Sequence, residues 1–149
     1  MTEEANKAAT TVTEAVKKNP DSTFVAEVVV TNNEEIKLLQ EGIDKGTDKA
    51  LKSHAKMMLG DHNNLKKKLL AYAASKSYPV MSNDEGDAAK KISDMSSKTG
   101  KDWEKAWADL MFSGHEKTIG KFEGAQNQVN DGELKTMITN TLPTLHNAP

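Results

Sequence analysis

Three side chains able to bind metal or carry a proton fall where the flanking residues are apolar at helical spacing. His62 lies between Met58, one turn before it, and Leu65 after it. His115 lies between Met111 and Ile119. Glu35 keeps register with Phe24, Val28, Leu39 and Gly42, at offsets close to whole helical turns. Burying such groups without partners is costly, so three of them on core faces call for an explanation. Two imidazoles and a carboxylate make a donor set for one divalent transition-metal ion such as zinc. Met58 and Met111, each four residues before a histidine, could add thioether ligands and bias the ion toward copper. His54, eight residues before His62 and on roughly the same side of its helix, is an outer candidate. The competing reading is purely structural: His62, His115 and Glu35 hydrogen-bond one another and tie helices together.

Other chemistries find less support. A di-iron carboxylate centre needs Glu-x-x-His on two helices, but Leu59 and Phe112 stand three residues before the two histidines. The chain has no cysteine, which excludes disulfides, thiolate ligands and cysteine nucleophiles. Asp61, beside His62, points away from it by about 100° on a regular helix. Lys66, Lys67 and Lys68 read as a solvated face, with no interleaved aromatics to stack on bases. With 20 Lys plus Arg against 22 Asp plus Glu, the charge balance also argues against nucleic-acid binding. Gly114 to Lys121 has glycine spacing one residue too long for a phosphate loop, and no strand precedes it. Trp103 and Trp107 read as core residues, and no nucleophile–base pair is visible.

The elements that must position these residues are helices. Asp21 or Ser22 is expected to cap a helix running to about Gly46, although Val28-Val29-Val30 locally favours a strand. A second helix, capped near Thr47 or Asp48, should run to about Ser77. Its stripe Leu51, Ala55, Met58, His62, Leu65, Leu69, Tyr72 alternates spacings of four and three. Residues 79–86 are rich in Pro, Ser, Asn, Asp and Gly and read as a connection to a short helix near 87–98. Asp102 is expected to cap a long helix to about Val129, with Trp103, Trp107, Leu110, Met111, His115, Ile119 and Phe122 inward. Asn130-Asp131-Gly132 is a turn. A last helix from Glu133 to Leu145 turns Leu134, Met137 and Ile138 inward, and Pro143 should kink or end it.

This pattern predicts an all-α antiparallel four-helix bundle with an additional short helix. Residues 1–20 form a loose lead-in, helical or flexible, and 21–149 form one domain. No stretch approaches the roughly 20 apolar residues of a membrane-spanning helix. Met1-Thr2-Glu3-Glu4 lacks the basic and apolar regions of a signal peptide.

Several of these segments resemble one bacterial family, the domain of unknown function 4142. The stretch Leu51-Lys52-Ser53-His54-Ala55-Lys56-Met57-Met58-Leu59-Gly60-Asp61-His62 is similar to its pattern Val-Lys-x-Phe-Ala-x-x-Met-x-x-Asp-His. Glu35-Ile36-Lys37-Leu38, His115 to Glu123 and Leu142-Pro143-Thr144-Leu145 also match, so the resemblance spans about residues 22–145. It implies a ferritin-like bundle, exported to the bacterial envelope or periplasm, and implies no activity. Two positions depart from the pattern. His54 stands where Phe is usual, and Ala148 stands where a histidine is usual, with His146 two positions earlier. The expectation is therefore a non-enzymatic envelope bundle that binds one transition-metal ion between Glu35, His62 and His115. The alternative is an interaction or stress-protective module without a cofactor.

Overall fold

Asn19 starts the first helix: its side chain accepts from the backbone N–H groups of Asp21 (3.0 Å) and Ser22 (3.4 Å), with Pro20 at the first helical position. This corrects the expected cap at Asp21 or Ser22. Both lie inside the first turn, and the Asp21 carboxylate instead accepts from the N–H groups of Asn130 (2.7 Å) and Asp131 (2.9 Å). In the computed structural model, which describes residues 19–147 apart from the side chains of 146 and 147, helix α1 covers Pro20–Lys45. The lead-in before Asn19, and Ala148, lie outside the described residues.

The β-branched run inside α1 is helical because Val25, Val28 and Val29 are buried. Burial of three such side chains outweighs a propensity deficit of a few tenths of a kcal/mol each. After a three-residue link, Asp48 caps α2, Lys49–Lys76, by accepting from Ala50 N–H at 3.3 Å. Ser77 ends α2 in the left-handed conformation (φ 58°), and Tyr78 N–H returns to the Ala73 carbonyl. The connection to α3, Ala88–Met95, is tied to α1 by Asn33, which donates to the carbonyls of Ser82 and Asp84.

Helix α4 spans Gly100–Ala125 and α5 spans Gly132–Asn147. Thr99 occupies the cap of α4, and Asp102 sits in the first turn, where its charge complements the helix dipole. The helix stops short of Val129: residues 126–128 form a turn in which the Gln128 N–H returns to the Ala125 carbonyl three residues back. Pro143 does not end α5; it lies exposed on the outer side, where the carbonyl that loses its partner can reach water.

The four long helices form an antiparallel bundle. Glu35 of α1 meets His62 of α2, and Leu38 and Leu39 pack with Ala55 and Met58, so numbers fall along α2 as they rise along α1. The same reversal relates α1 to α4 (Phe24 on Phe122, Leu38 on Trp107) and α4 to α5 (His115 on Leu145). Two apolar cores result. One holds Phe24, Leu69, Phe122, Leu134 and Ile138, and the other holds Leu39, Met58, Trp103, Trp107 and Met111.

Candidate functional site

Between the two cores runs a buried polar layer. Glu35 is 4% exposed, His62 6% and His115 9%, and Asn32 and Thr118 are as deeply buried. The layer exists because α1, α2 and α4 each carry a polar residue in the apolar stripe at the same height of the bundle.

Glu35 and His62 are bonded directly, Nε2 to Oε2, at 2.5 Å. The other ring nitrogen of His62, Nδ1, is 2.7 Å from the Met58 carbonyl one turn back. Each nitrogen thus faces an acceptor, and the arrangement is complete when both carry a proton. Burial by itself would lower the pKa of His62. The Glu35 carboxylate, the Met58 carbonyl and the charge of Asp61 override it, and the group titrates above its ordinary 6.5. The second oxygen of Glu35 accepts from the Thr118 hydroxyl at 2.8 Å. Asn32 donates to the His62 backbone carbonyl at 2.9 Å. Three helices are therefore joined through one carboxylate. A doubly protonated His62 has no lone pair to offer a metal ion, so coordination there would require loss of a proton and of a bond to Glu35 or Met58.

His115 is placed differently. Its Nε2 lies 2.5 Å from the Leu145 carbonyl and donates to it, while Nδ1 is buried and has no hydrogen-bond partner among the described residues. A carbonyl that takes the N–H of one ring nitrogen fixes the tautomer and leaves the lone pair on the other, the arrangement found behind metal-bound imidazoles. His54 is half-buried, and its Nε2 is likewise enclosed without a partner.

The structure thus joins Glu35 to His62 but does not bring His115 to them. Among the described residues no three His, Asp or Glu side chains are grouped to hold an ion. His62 and His115 share the wall of a chamber of about 50 Å³, with Thr118 and Met58. The other expected candidates gather elsewhere: His54, Met58, Met111 and His115 all line one groove of about 540 Å³ between α2 and α4. His146 contributes only its backbone to the described structure.

Sequence reasoning missed Thr118 and Asn32, because neither residue type is conspicuous on a helix and their roles depend on what faces them. It also missed the Leu145 carbonyl, which carries no side-chain signal. Trp107 is a core residue as expected. Its Nε1–H donates to the Leu38 carbonyl at 2.7 Å, and its ring fills the space over Gly42. Gly114 to Lys121 is continuous α4 helix, which removes any phosphate-loop reading. No described helix is long and apolar enough to cross a membrane.

No curated protein and no solved structure matches the chain. The family described as domain of unknown function DUF4142 does, over residues 5–148. With nearly the whole chain matched and an all-α bundle formed by the same segments, this protein belongs to the DUF4142 family.

Proposed function

We propose that this chain is a non-enzymatic helical-bundle protein of the bacterial envelope that binds one transition-metal ion, for sequestration or sensing, with His115 as the anchoring ligand. One observation carries the reading: a buried imidazole whose Nε2–H is held by a backbone carbonyl and whose Nδ1 has no partner among the described residues. An unpartnered buried polar atom destabilises the fold, and coordination is one way to satisfy it. Glu35 and His62 act beside this site as a hydrogen-bonded pair that fixes the positions of α1, α2 and α4. The envelope location rests on the family resemblance alone.

The test is thermal unfolding of chelator-stripped protein with and without copper, zinc and nickel ions, for the parent chain, His115→Ala and His62→Ala. An ion at 100 times its dissociation constant stabilises the native state by about 2.7 kcal/mol. The expected result is a rise in Tm for at least one ion that His115→Ala abolishes. The absence of any rise would contradict metal binding.

A second reading has its own support. Glu35, His62 and Thr118 satisfy one another fully without a ligand, as they would in a cofactor-free interaction or stress-protective module. In that case His62→Ala would be strongly destabilising and no variant would respond to metal.

A further inference from the structure

We propose that the groove between α2 and α4 is a site for a soft monovalent ion, copper(I), held by the thioethers of Met58 and Met111 and the imidazole of His115, with His54 as the outermost donor. The proposal rests on the metal-binding reading and gives it a ligand set and an oxidation state.

The placement follows from the topology. Helices α2 and α4 each run antiparallel to α1, so they run parallel to one another. Glu35 bonds both His62 and Thr118, which puts these two residues at one height. Met58 is four residues before His62, and Met111 is seven before Thr118 and four before His115. The two methionines therefore stand within about a turn of the same height, on helices that flank one groove. His115 stands one turn above Met111, and Cα–Cβ bonds tilt toward the helix N-terminus, which leans its ring toward the methionine level. His54 stands one turn below Met58 and leans the same way, hence away from that level, so it reaches the same point only through its rotamer.

One end of the groove is formed by Leu145 of α5. Helix α5 has 16 residues against 26 in α4. Its Leu145 meets α4 at His115, where it accepts from the ring and lines the groove. Among the described residues, the groove is lined by α2, α4 and Leu145 alone.

The donor chemistry selects the ion. Thioethers and imidazoles are neutral ligands, and thioethers favour copper(I) over harder divalent ions. The wall beside them includes Trp107, whose ring is pinned by its bond to the Leu38 carbonyl. The exposed carboxylates Asp109 and Glu116 also line the groove, so the preference for copper(I) rests on the thioethers and not on an uncharged wall. An indole beside the ion adds cation–π attraction. Among the described residues, the enclosed ring nitrogens of His54 and His115 have no hydrogen-bond partner, an independent sign that lone pairs here are left for a ligand.

The experiment is an anaerobic competition titration of copper(I) against a chromophoric copper(I) chelator, with zinc(II) titrated in parallel. The proteins are the full chain, the Met58→Leu/Met111→Leu double variant and His115→Ala. Leucine keeps the volume of methionine, so the double variant retains its fold, checked by circular dichroism. The expected result is one copper(I) per chain, X-ray absorption showing sulfur bound to copper, and affinity lower by about 100-fold in the double variant. Loss of His115 should weaken binding at least as much, and His54→Ala should weaken it least. If the double variant binds copper(I) as the parent does while His115→Ala does not, the thioether site is wrong and the metal reading stands. If the parent binds neither copper(I) nor zinc(II), both are wrong.

Discussion

His62 has both ring nitrogens on acceptors and Glu35 has both oxygens on donors, so neither side chain has unused capacity inside the core. Removing one member leaves the other buried and uncompensated. His62→Ala should therefore lower stability by about 3 kcal/mol, measured by denaturant unfolding. Replacing both members by apolar residues should cost less than the sum of the two single losses. The pair also makes stability depend on pH. Because folding raises the pKa of His62 above 6.5, its contribution is complete below that pH and is lost as pH rises through the folded value. The stability difference between the parent and His62→Gln should thus be larger at pH 6 than at pH 9; equal differences would show that His62 is neutral in the fold. At this scale the sequence was informative about location and only partly about pairing: Glu35 and His62 hydrogen-bond as the structural reading expected, while His115 bonds the Leu145 carbonyl instead. The apolar neighbours of Glu35, His62 and His115 showed that they are buried. Which of them meet depends on the height at which three helices cross, and that is not encoded in any one stripe.

At the scale of elements, a few close approaches decide how the helices dock. Gly42 lies against the Trp107 ring, and a Cβ there would come within 2.5 Å of it. Gly42→Ala should therefore destabilise by about 1–3 kcal/mol through overpacking, with a change in tryptophan fluorescence. Gly60 is exposed in the middle of α2 with nothing near its would-be Cβ, so Gly60→Ala should stabilise by about 0.5–1 kcal/mol. Melting both variants checks the opposite signs; a stabilised Gly42→Ala would mean that α1 and α4 are less tightly docked. Helix extents were legible from periodicity, but their starts were not. Asn19 outcompetes Asp21 and Ser22 as a cap because the Asp21 carboxylate is taken up by the α4–α5 turn, a contact across more than a hundred residues. Pro143 reads as a kink or an end of the last helix until its exposed position is known.

Over the whole molecule, two apolar cores are separated by one polar layer, and a groove between α2 and α4 opens beside that layer. The bundle itself was readable from four long amphipathic segments and their short links. The division of the candidate ligands was not. Glu35, His62 and His115 looked like one set because each faces inward, yet the carboxylate pairs with one histidine and leaves the other to the groove. That division is the central claim, and imidazole nitrogen resonances test it most directly. In a long-range ¹H–¹⁵N spectrum of the metal-free protein, His62 should show both nitrogens protonated and His115 only Nε2. Titration with copper(I) should then shift Nδ1 of His115 and leave both nitrogens of His62 in place. A shift at Nε2 of His62 with loss of its proton would contradict the claim and return the ion to the Glu35–His62 pair.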